Sequence, residues 1–416
     1  MRRRDFMRAC AALPLTAIGG CQLTLEQGLM GACATGRDLA RNPWVEKAWQ
    51  GLRPERVWDV HTHLFGNGRS RGGIWVEPDY DRPRSLGARV RHAFFMNAGC
   101  VGDDEDRLDQ GMVARLSQLA DDCPQGAKFM LLAFDFTHDE GGRRREDLTT
   151  FSVPDAYALR VAQSRPDRFE WIASIHPYRG DALARLDAAH AAGARAVKWL
   201  PPTMGIDLGA PQSLAFYDAL ARIRMPLLVH VGEEQAVAGA KRHDLANPLQ
   251  LRAPLERGVR VIAAHCASLG ASPDLDAVKD ASKAPAVPNF DLFARLMGER
   301  RYEGLLFGDL SAVTQANRAS TLPRLLAMAP AWDGRLLNGS DYPLPGIMPL
   351  FSMNAMVAAG VLDAALVPPL RELRNVNALL FDFVLKRNLR SGGARLPDSA
   401  FETRDFFWAA SPRRAG

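Results

Sequence analysis

The sequence lacks the patterns that identify membrane-spanning, nucleic-acid-binding and nucleotide-binding proteins. After residue 21, no stretch reaches the ~18 continuous apolar residues that a membrane span requires. No basic stripe with interleaved aromatic residues is present, and no GxGxxG or P-loop pattern follows a predicted strand. The formal charge of +5 includes +3 from residues 1–20, where Arg2, Arg3, Arg4 and Arg8 outnumber Asp5, which leaves +2 elsewhere. We therefore expect a small-molecule substrate and no nucleic-acid partner.

Cysteine is scarce and shows no metal-binding spacing. The chain has 6 cysteines and no CxxC pattern, which excludes the common zinc-finger and redox motifs. Four of them, Cys33, Cys100, Cys123 and Cys266, lie beyond the first 21 residues. Disulfides are compatible with an exported protein, but the spacing does not determine which cysteines pair. Cys266 lies within an apolar run, where a small buried hydrophobic residue is the alternative interpretation.

Residues 1–21 resemble an export signal and are excluded from the fold. The arginine pair at positions 3–4, followed by DFM, resembles a twin-arginine signal, and the sequence IGGC at 18–21 resembles a bacterial lipobox. The second resemblance implies that Cys21 is lipidated and anchors the mature chain to a membrane surface on the periplasmic side. The alternatives are a cleaved signal without lipid, or a short N-terminal membrane anchor.

Apolar β-rich runs alternate with helical patterns about eight times in the rest of the chain. The hydrophobic content of 47% and the charged content of 24% are typical of a soluble globular protein. The predicted strands cover 56–64, 128–136, 169–177, 194–201, 226–232, 260–268, 305–311 and 335–342, and amphipathic helices are predicted at 106–122, 181–193 and 214–224. Strands this apolar indicate a buried parallel sheet. Eight such units predict an α/β fold with a single (β/α)₈ TIM barrel.

This repeat pattern also defines the domain boundaries. We expect a lead segment at 22–55, the barrel at 56–390 and a C-terminal tail at 391–416 that wraps the barrel or is partly disordered. The connections 65–105, 137–153 and 268–289 follow strand ends. In a barrel the carboxyl ends of the strands form the catalytic face, so these loops are candidate lids and substrate determinants.

Histidines are concentrated at the ends of the predicted strands. Six of the nine lie there: His61, His63, His138, His176, His230 and His265. On a strand, His61 and His63 project to the same face, and Asp59 is expected to share that face. Two neighbouring imidazoles are suitable first ligands for Zn²⁺ or a similar ion. In a closed barrel, His230, His265 and Asp341 converge on the same cavity.

Five strand motifs together resemble one known family. DVHTHLFG, GARAVKWLPP, PLLVHVGEE, RVIAAHCAS and RLLNGSDYP resemble, in order and spacing, the strand motifs of the amidohydrolase superfamily. The similarity is to its amidohydrolase-related branch, which includes aminocarboxymuconate semialdehyde decarboxylase and hydrolytic relatives. The resemblance implies that His61, His63, His230 and Asp341 hold one divalent metal ion, Zn²⁺ by preference. It places His265 beside the activated water or the substrate carbonyl.

The chemistry of these residue types supports catalytic roles for two of them. A divalent metal held by imidazoles and a carboxylate lowers the pKa of its water to about 7. Asp341 would take a proton from that water as general base and return it to the leaving group as acid. His265 would polarise the substrate carbonyl or support the oxyanion. A helix N-cap is the structural alternative for Asp341.

Three further residues are expected near the substrate: Lys198, His176 and Asp309. Lys198 lies at the end of the fourth predicted strand. In two-metal members of the superfamily, a lysine at this place is carbamylated and bridges both ions, which leaves a second metal open here. In the branch that this chain most resembles, one metal is usual, and the lysine contacts substrate or forms a buried ion pair.

These residues support a metal-dependent hydrolase that attacks an amide, ester or lactone carbonyl. The alternative on the same site is a metal-dependent, non-oxidative decarboxylase. A carboxylated aromatic substrate would require a positive anchor and a flat apolar slot. A third hypothesis is a non-catalytic binding lipoprotein that keeps the barrel as a scaffold. A homodimer is the default expectation for the assembly.

Overall fold

The structure is a computed structural model, and it describes residues 24–35, 38–101, 105–237, 239–278, 280 and 282–408. The predicted export signal and Cys21 lie outside the described residues. Among the described residues, no helix has the length and apolarity needed to cross a membrane.

Eight parallel strands form the centre of the fold. They are β1 (Trp58–His63), β2 (Lys128–Leu132), β3 (Phe169–Ile172), β4 (Val197–Trp199), β5 (Leu227–Val229), β6 (Val261–Ala263), β7 (Leu306–Asp309) and β8 (Leu336–Leu337). Ladder pairing gives one sheet in the order β1-β2-β3 and a second in the order β4-β5-β6-β7-β8. Single parallel bridges, Ala173–Val197 and Thr62–Tyr342, join the two sheets at both seams. The strands therefore follow one another around a closed ring, as the repeat pattern predicted.

Helices surround this ring and connect its strands. In the part of the chain that the structure describes, the α-helices are Pro43–Trp49, Pro78–Asp81, Leu86–Ala98, Leu108–Asp121, Asp155–Ser164, Ala182–Ala191, Pro201–Met204, Pro211–Ile223, Arg252–Leu255, Asn289–Met297, Leu322–Met328, Met353–Ala358, Val367–Val376, Ala378–Asn388 and Arg404–Trp408. Two short antiparallel strand pairs lie outside the ring, Trp75–Val76 with Phe151–Ser152 and Ala271–Pro273 with Ala286–Pro288. All eight predicted strands and the three predicted helices are present; each begins within three residues of its expected start, and the strands end up to five residues earlier than expected.

The interior of the ring is apolar at the amino ends of the strands. Trp58 and Val60 of β1 pack there against Met130 and the equivalent inward residues of the other strands. Phe407, from the last described helix, belongs to the same cluster and is fully buried. The C-terminal tail, expected to wrap the barrel or be partly disordered, therefore closes the amino end of the barrel as far as residue 408.

An irregularity in β1 decides which of its side chains reach the cavity. Asp59 pairs with Phe129 and Thr62 with Leu131, so β1 carries one extra residue against β2. Since Trp58 and Val60 point inward, strict alternation would turn His61 outward. The extra residue reverses the alternation and turns His61 inward. The expectation that Asp59 shares the histidine face is wrong, because Asp59 lies before the irregularity.

The N-terminal lead forms a strap, residues 24–35, that crosses the catalytic face. Thr24 donates hydrogen bonds to the carbonyl oxygens of Pro349 and Phe351, both at 2.8 Å. At the other end of the strap, a disulfide joins Cys33 to Cys100. Cys100 belongs to a lid, residues 65–101, that follows β1 and contains the helix Leu86–Ala98. The pairing left open by the sequence is thus Cys33 with Cys100.

Candidate metal centre and cavity

Three potential metal ligands converge at the carboxyl ends of β1 and β8. Nε2 of His61 lies 3.2 Å from Nε2 of His63 and 3.5 Å from Oδ1 of Asp341. Nε2 of His63 lies 3.1 Å from the same oxygen. His61 and Asp341 are buried, while the His63 side chain is 25% exposed. The sequence predicted all three of these residues as ligands, and the fold brings them together.

The geometry of these three atoms fits a metal ion. In tetrahedral coordination with bonds of about 2.0–2.1 Å, neighbouring ligand atoms are about 3.3–3.4 Å apart, close to the three observed separations. A proton on Nε2 of His63 could form a hydrogen bond across only one of the three short separations. A cation at their centre would satisfy all of them, because imidazole nitrogens and a carboxylate oxygen all offer it lone pairs. His61, His63 and Asp341 could therefore hold a divalent metal.

Asp309 fixes the tautomer of His61. Nδ1 of His61 lies 2.7 Å from Oδ2 of Asp309, and Ser311 donates its backbone N–H to Oδ1 of the same carboxylate at 2.7 Å. Burial by itself would raise the pKa of Asp309, but His61 and Ser311 outweigh it and lower the pKa. The ionised carboxylate accepts the Nδ1 proton, which leaves a lone pair on Nε2 of His61. Asp309 was expected near the substrate, but it lies behind His61 and is not among the residues that line the cavity.

His265 lies beside the ligand cluster with a defined orientation. Its Nδ1 is 3.0 Å from the carbonyl oxygen of Ser311, which can only accept, so Nδ1 carries the proton. Nε2 therefore presents its lone pair to the cavity, 3.9 Å from Oδ2 of Asp341. Burial lowers the pKa of His265 well below its ordinary value, and the imidazole is neutral. This position matches the one expected beside water or substrate.

His230 lines the same cavity but lies apart from the three converging ligands. Among the described residues, two groups have ligand atoms that all lie within 4.8 Å of one another, His61 with His63 and Asp341 and His61 with His265 and Asp309, and neither contains His230. Nε2 of His230 is buried without a hydrogen-bond partner and lies 3.4 Å from Oε2 of Glu234. An unsatisfied buried imidazole nitrogen is unusual and indicates a missing partner. His230 is thus available as a further ligand, although its ring nitrogens do not lie within 4.8 Å of all three converging ligand atoms.

Glu234 is a cavity residue that sequence reasoning missed. Its carboxylate accepts backbone N–H bonds from Ala236 and Val237 at 2.6 and 2.8 Å. Burial raises the pKa of this carboxyl. Glu234 stands within the quoted motif PLLVHVGEE, four residues after His230, so the signal was present.

The cavity above the ligands combines an aromatic wall with buried cations. Five phenylalanines line it: Phe65, Phe94, Phe95, Phe134 and Phe151. Lys198 of β4 and Arg318 reach the same cavity, and they are only 2% and 6% exposed. Burial lowers the pKa of Lys198 to about 8. Lys198 was predicted at this position, whereas Arg318 lies in a connection after β7 that carries no recognisable motif.

His176 was expected near the substrate, but it is not among the residues that line the cavity. Its Nε2 donates to the carbonyl oxygen of Met204 at 3.0 Å, and its Nδ1 accepts from the backbone N–H of Tyr178 at 3.2 Å. Both ring nitrogens are satisfied inside the protein, and burial lowers the pKa of His176 to about 3. His138 is also buried outside the cavity, with Nδ1 2.9 Å from the carbonyl oxygen of Phe136.

The backbone around the site adopts costly conformations. His265, Ala312 and Asp341 have φ values of 56°, 56° and 59°, in the left-handed region that residues with a side chain rarely occupy. These residues follow β6, β7 and β8 respectively. Such conformations cost about 1–3 kcal/mol each and cluster at functional sites. Asp59 stabilises the arrangement, because its Oδ1 accepts the backbone N–H groups of both His61 and Ser340, at 3.0 and 2.9 Å.

Among known proteins, the chain is similar to solved structures only. No family model and no curated protein matches the chain. An uncharacterised TIM-barrel protein from Bordetella bronchiseptica is 15% identical, with 73% of this chain and 90% of that one covered and a TM-score of 0.44. A probable 2-pyrone-4,6-dicarboxylic acid hydrolase from Acinetobacter baumannii is 13% identical, covers 79% and 99%, and has a TM-score of 0.42. The 5-carboxyvanillate decarboxylase of Sphingomonas paucimobilis is 11% identical, covers 80% and 97%, and has a TM-score of 0.40.

Proposed function

We propose that the chain is a metal-dependent hydrolase of the amidohydrolase superfamily that attacks an amide, ester or lactone carbonyl of a small molecule. The convergence of His61, His63 and Asp341 at metal-ligand separations carries this proposal. His230, with its unsatisfied Nε2, is the fourth proposed ligand. When bound, a divalent ion, Zn²⁺ by preference, would supply Lewis acidity and lower the pKa of water.

Asp341 and His265 would carry out proton transfer and orient the reacting water. Burial by itself would raise the pKa of Asp341, but its contacts, including the hydrogen bond with His63, outweigh burial and hold the pKa well below the ordinary value, so that Asp341 stays ionised. Its Oδ2 faces the cavity near His265, where it takes a proton from the attacking water and returns it to the leaving group. The neutral His265 then accepts a hydrogen bond through Nε2, which orients the water or a protonated leaving group. This replaces the sequence-based role of carbonyl polarisation, since Nε2 carries no proton to donate.

The cavity lining favours an anionic substrate with an apolar body. Phe94, Phe134 and Phe151 offer flat apolar surface, and the buried cations Lys198 and Arg318 offer charge to a carboxylate. The same observation favours the second candidate function, non-oxidative decarboxylation of a carboxylated aromatic compound. In that reaction, the cations would anchor the substrate and a protein group would deliver a proton to the carbon that loses CO₂.

One experiment separates the two reactions. Metal-loaded protein is incubated in H₂¹⁸O with panels of lactones, esters and carboxylated aromatic compounds, and the products are analysed by mass spectrometry. Hydrolysis places one ¹⁸O atom in the product carboxylate, whereas decarboxylation releases CO₂ without a hydrolytic product. Turnover of neither panel, with Asp341→Asn indistinguishable from wild type in substrate binding, would support the binding scaffold instead.

We also propose that the mature protein is an exported lipoprotein, anchored through Cys21 on the periplasmic side. The Cys33–Cys100 disulfide supports export, because disulfides persist in oxidising compartments. Mass spectrometry of the mature chain should find an acylated Cys21 as its first residue. Cys21→Ser should lose that mass and leave the membrane fraction at high salt; retention of the protein there would overturn the anchor.

A further inference from the structure

The outer surface of the lid is basic. Apart from Arg91, which lines the cavity, the lid has five arginines between residues 69 and 89 against three acidic residues, Glu77, Asp79 and Asp81. Arg82 and Arg84 are 79% and 88% exposed, and each has only a long contact to an aspartate, at 3.9 and 3.4 Å. Leu86 follows them at 42% exposure. Basic residues beside an exposed leucine are typical of surfaces that lie against anionic lipid headgroups.

The exposed basic segment, residues 82–86, lies between residues that line the cavity. Tyr80, before this segment, and Arg91 and Phe95, after it, line the cavity. The exposed residues between them therefore lie on the outer face of the lid, and the inner face of the lid lines the cavity. The helix Leu86–Ala98 contributes to both faces of the lid, because its Val90 and Phe94 side chains are buried and its Leu86 side chain is exposed.

The strap ends on the same face of the barrel. Thr24 is hydrogen-bonded to Pro349 and Phe351, which flank the cavity-lining Leu350. Leu29 and Met30 of the strap pack against the cluster formed by Val90, Phe94, Ala98 and Ile347. Leu25, next to Thr24, is 53% exposed. The three residues from Thr24 back to Cys21 span at most about 10 Å.

We infer that the lid side of the barrel lies against an anionic membrane surface, so that the cavity mouth opens onto the lipid–water interface. The inference rests on the proposed lipidation of Cys21 for attachment, while Arg82, Arg84 and Leu86 determine the orientation. An acyl chain within about 10 Å of Thr24 holds the catalytic face near the membrane, and basic side chains are attracted to anionic headgroups. Substrates that partition into the interface would then reach the cavity directly.

The orientation is measured with a fluorophore on one introduced cysteine. Cys123 and Cys266 are buried and Cys33 is paired with Cys100, so the introduced thiol of Leu86→Cys is selectively labelled. The control is Leu183→Cys, at a 48% exposed position on the helix Ala182–Ala191. The labelled lipoprotein is bound to phosphatidylcholine–phosphatidylglycerol vesicles that contain a doxyl-labelled lipid. We expect quenching several-fold stronger at position 86 than at 183; equal or reversed quenching would overturn the inference.

A second measurement does not depend on lipidation. The chain that begins at residue 21 and carries Cys21→Ser is sedimented with anionic and with purely zwitterionic vesicles. We expect binding to the anionic vesicles only, weakened at least about tenfold by Arg82→Glu with Arg84→Glu. Arg222→Glu, at a 68% exposed position on the helix Pro211–Ile223, is the matched control and should bind as the parent does. No weakening relative to this control would overturn the inference, whereas an unacylated Cys21 in the mature chain would overturn the anchor alone.

Discussion

His61 and Asp309 are joined by a 2.7 Å contact between Nδ1 and Oδ2, across 248 positions of sequence. The contact links β1 to β7 inside the barrel, and both side chains are almost completely buried. It holds the imidazole proton away from the cavity, so that Nε2 of His61 faces His63 and Asp341 as a lone pair. A carboxylate behind a ligating histidine in this way tunes both ring orientation and basicity.

The first prediction concerns this contact. Asp309→Asn keeps the shape of the side chain but removes the charge that holds the Nδ1 proton of His61. We expect the affinity for Zn²⁺ to fall about 10–100-fold, with the fold retained. Competition with a chromogenic chelator measures the affinity, and circular dichroism checks the fold. Asp187→Asn, at a 65% exposed position, is the control, and equal affinity in both variants would contradict the role of Asp309.

The second prediction tests the ligand cluster. His61→Ala and Asp341→Asn should each abolish turnover on a verified substrate, with losses of about 10²–10⁴-fold or more for Asp341→Asn because a positioned proton carrier is removed. Folding should be preserved in both, as judged by thermal unfolding. His243→Ala changes an exposed residue and should retain wild-type turnover. Near wild-type activity in either cluster variant would show that the site is wrongly assigned.

The third prediction counts metal ions. We expect one equivalent per chain in wild type and also in Lys198→Ala, measured by elemental analysis of protein purified without chelator. The reason is that the two groups of converging ligand atoms among the described residues, His61–His63–Asp341 and His61–His265–Asp309, share His61, and in the second group Nδ1 of His61 is already hydrogen-bonded to Asp309. Two equivalents in wild type that fall to one or none in Lys198→Ala would make Lys198 a carbamylated bridge instead.

The fourth prediction is a pH dependence carried by Lys198. Its pKa is lowered to about 8 by burial, so the fraction of ammonium falls as the pH rises through 8. For an anionic substrate, KM should therefore increase above pH 8. In Lys198→Arg the guanidinium stays protonated throughout this range, so the increase in KM should disappear. Steady-state kinetics between pH 6 and about 9.5 check this, and an identical rise in KM in the variant would rule out Lys198 as the anchor.

The fifth prediction concerns stability beneath the site. Nζ of Lys386 is completely buried and donates to Oδ2 of Asp382 and to the carbonyl oxygen of Gly339, both at 2.6 Å. Lys386→Met leaves the Asp382 carboxyl without its cation, and we expect a loss of about 3–5 kcal/mol in the free energy of unfolding. Lys386→Met combined with Asp382→Leu should recover much of that loss. Urea unfolding measures both, and equal losses in the single and double variants would contradict the pairing.

Much of the barrel follows from local patterns in the sequence. The strands are short apolar runs with period-2 or continuous hydrophobicity, and the helices carry an apolar stripe, so each element is specified by residues within about ten positions of itself. The repeated alternation of the two patterns then restricts the topology to parallel strands with helical crossovers. The histidines and Asp341 at strand ends were predictable for the same reason, since a parallel barrel gathers the carboxyl ends of its strands.

The environment of each side chain was not predictable in this way. His61, His176 and His230 all stand at strand ends in the sequence, yet one has a carboxylate behind it, one is satisfied by backbone, and one is left with an unpaired nitrogen. Asp309 stands at a strand end in the sequence, as a substrate-binding residue would, but its carboxylate contacts Nδ1 of His61 on the side away from the cavity. These differences depend on partners that come from distant parts of the chain.

The order of apolar runs, helical stripes and strand-end histidines was therefore sufficient for the fold class and for most of the metal-ligand candidates, because hydrophobic periodicity is a local property. Only the folded chain decided that an extra residue in β1 turns His61 inward, that the cations Lys198 and Arg318 meet an aromatic wall, and that Cys33 pairs with Cys100. Each of these depends on register and on contacts between segments far apart in sequence, which burial and hydrogen bonding settle jointly across the whole barrel.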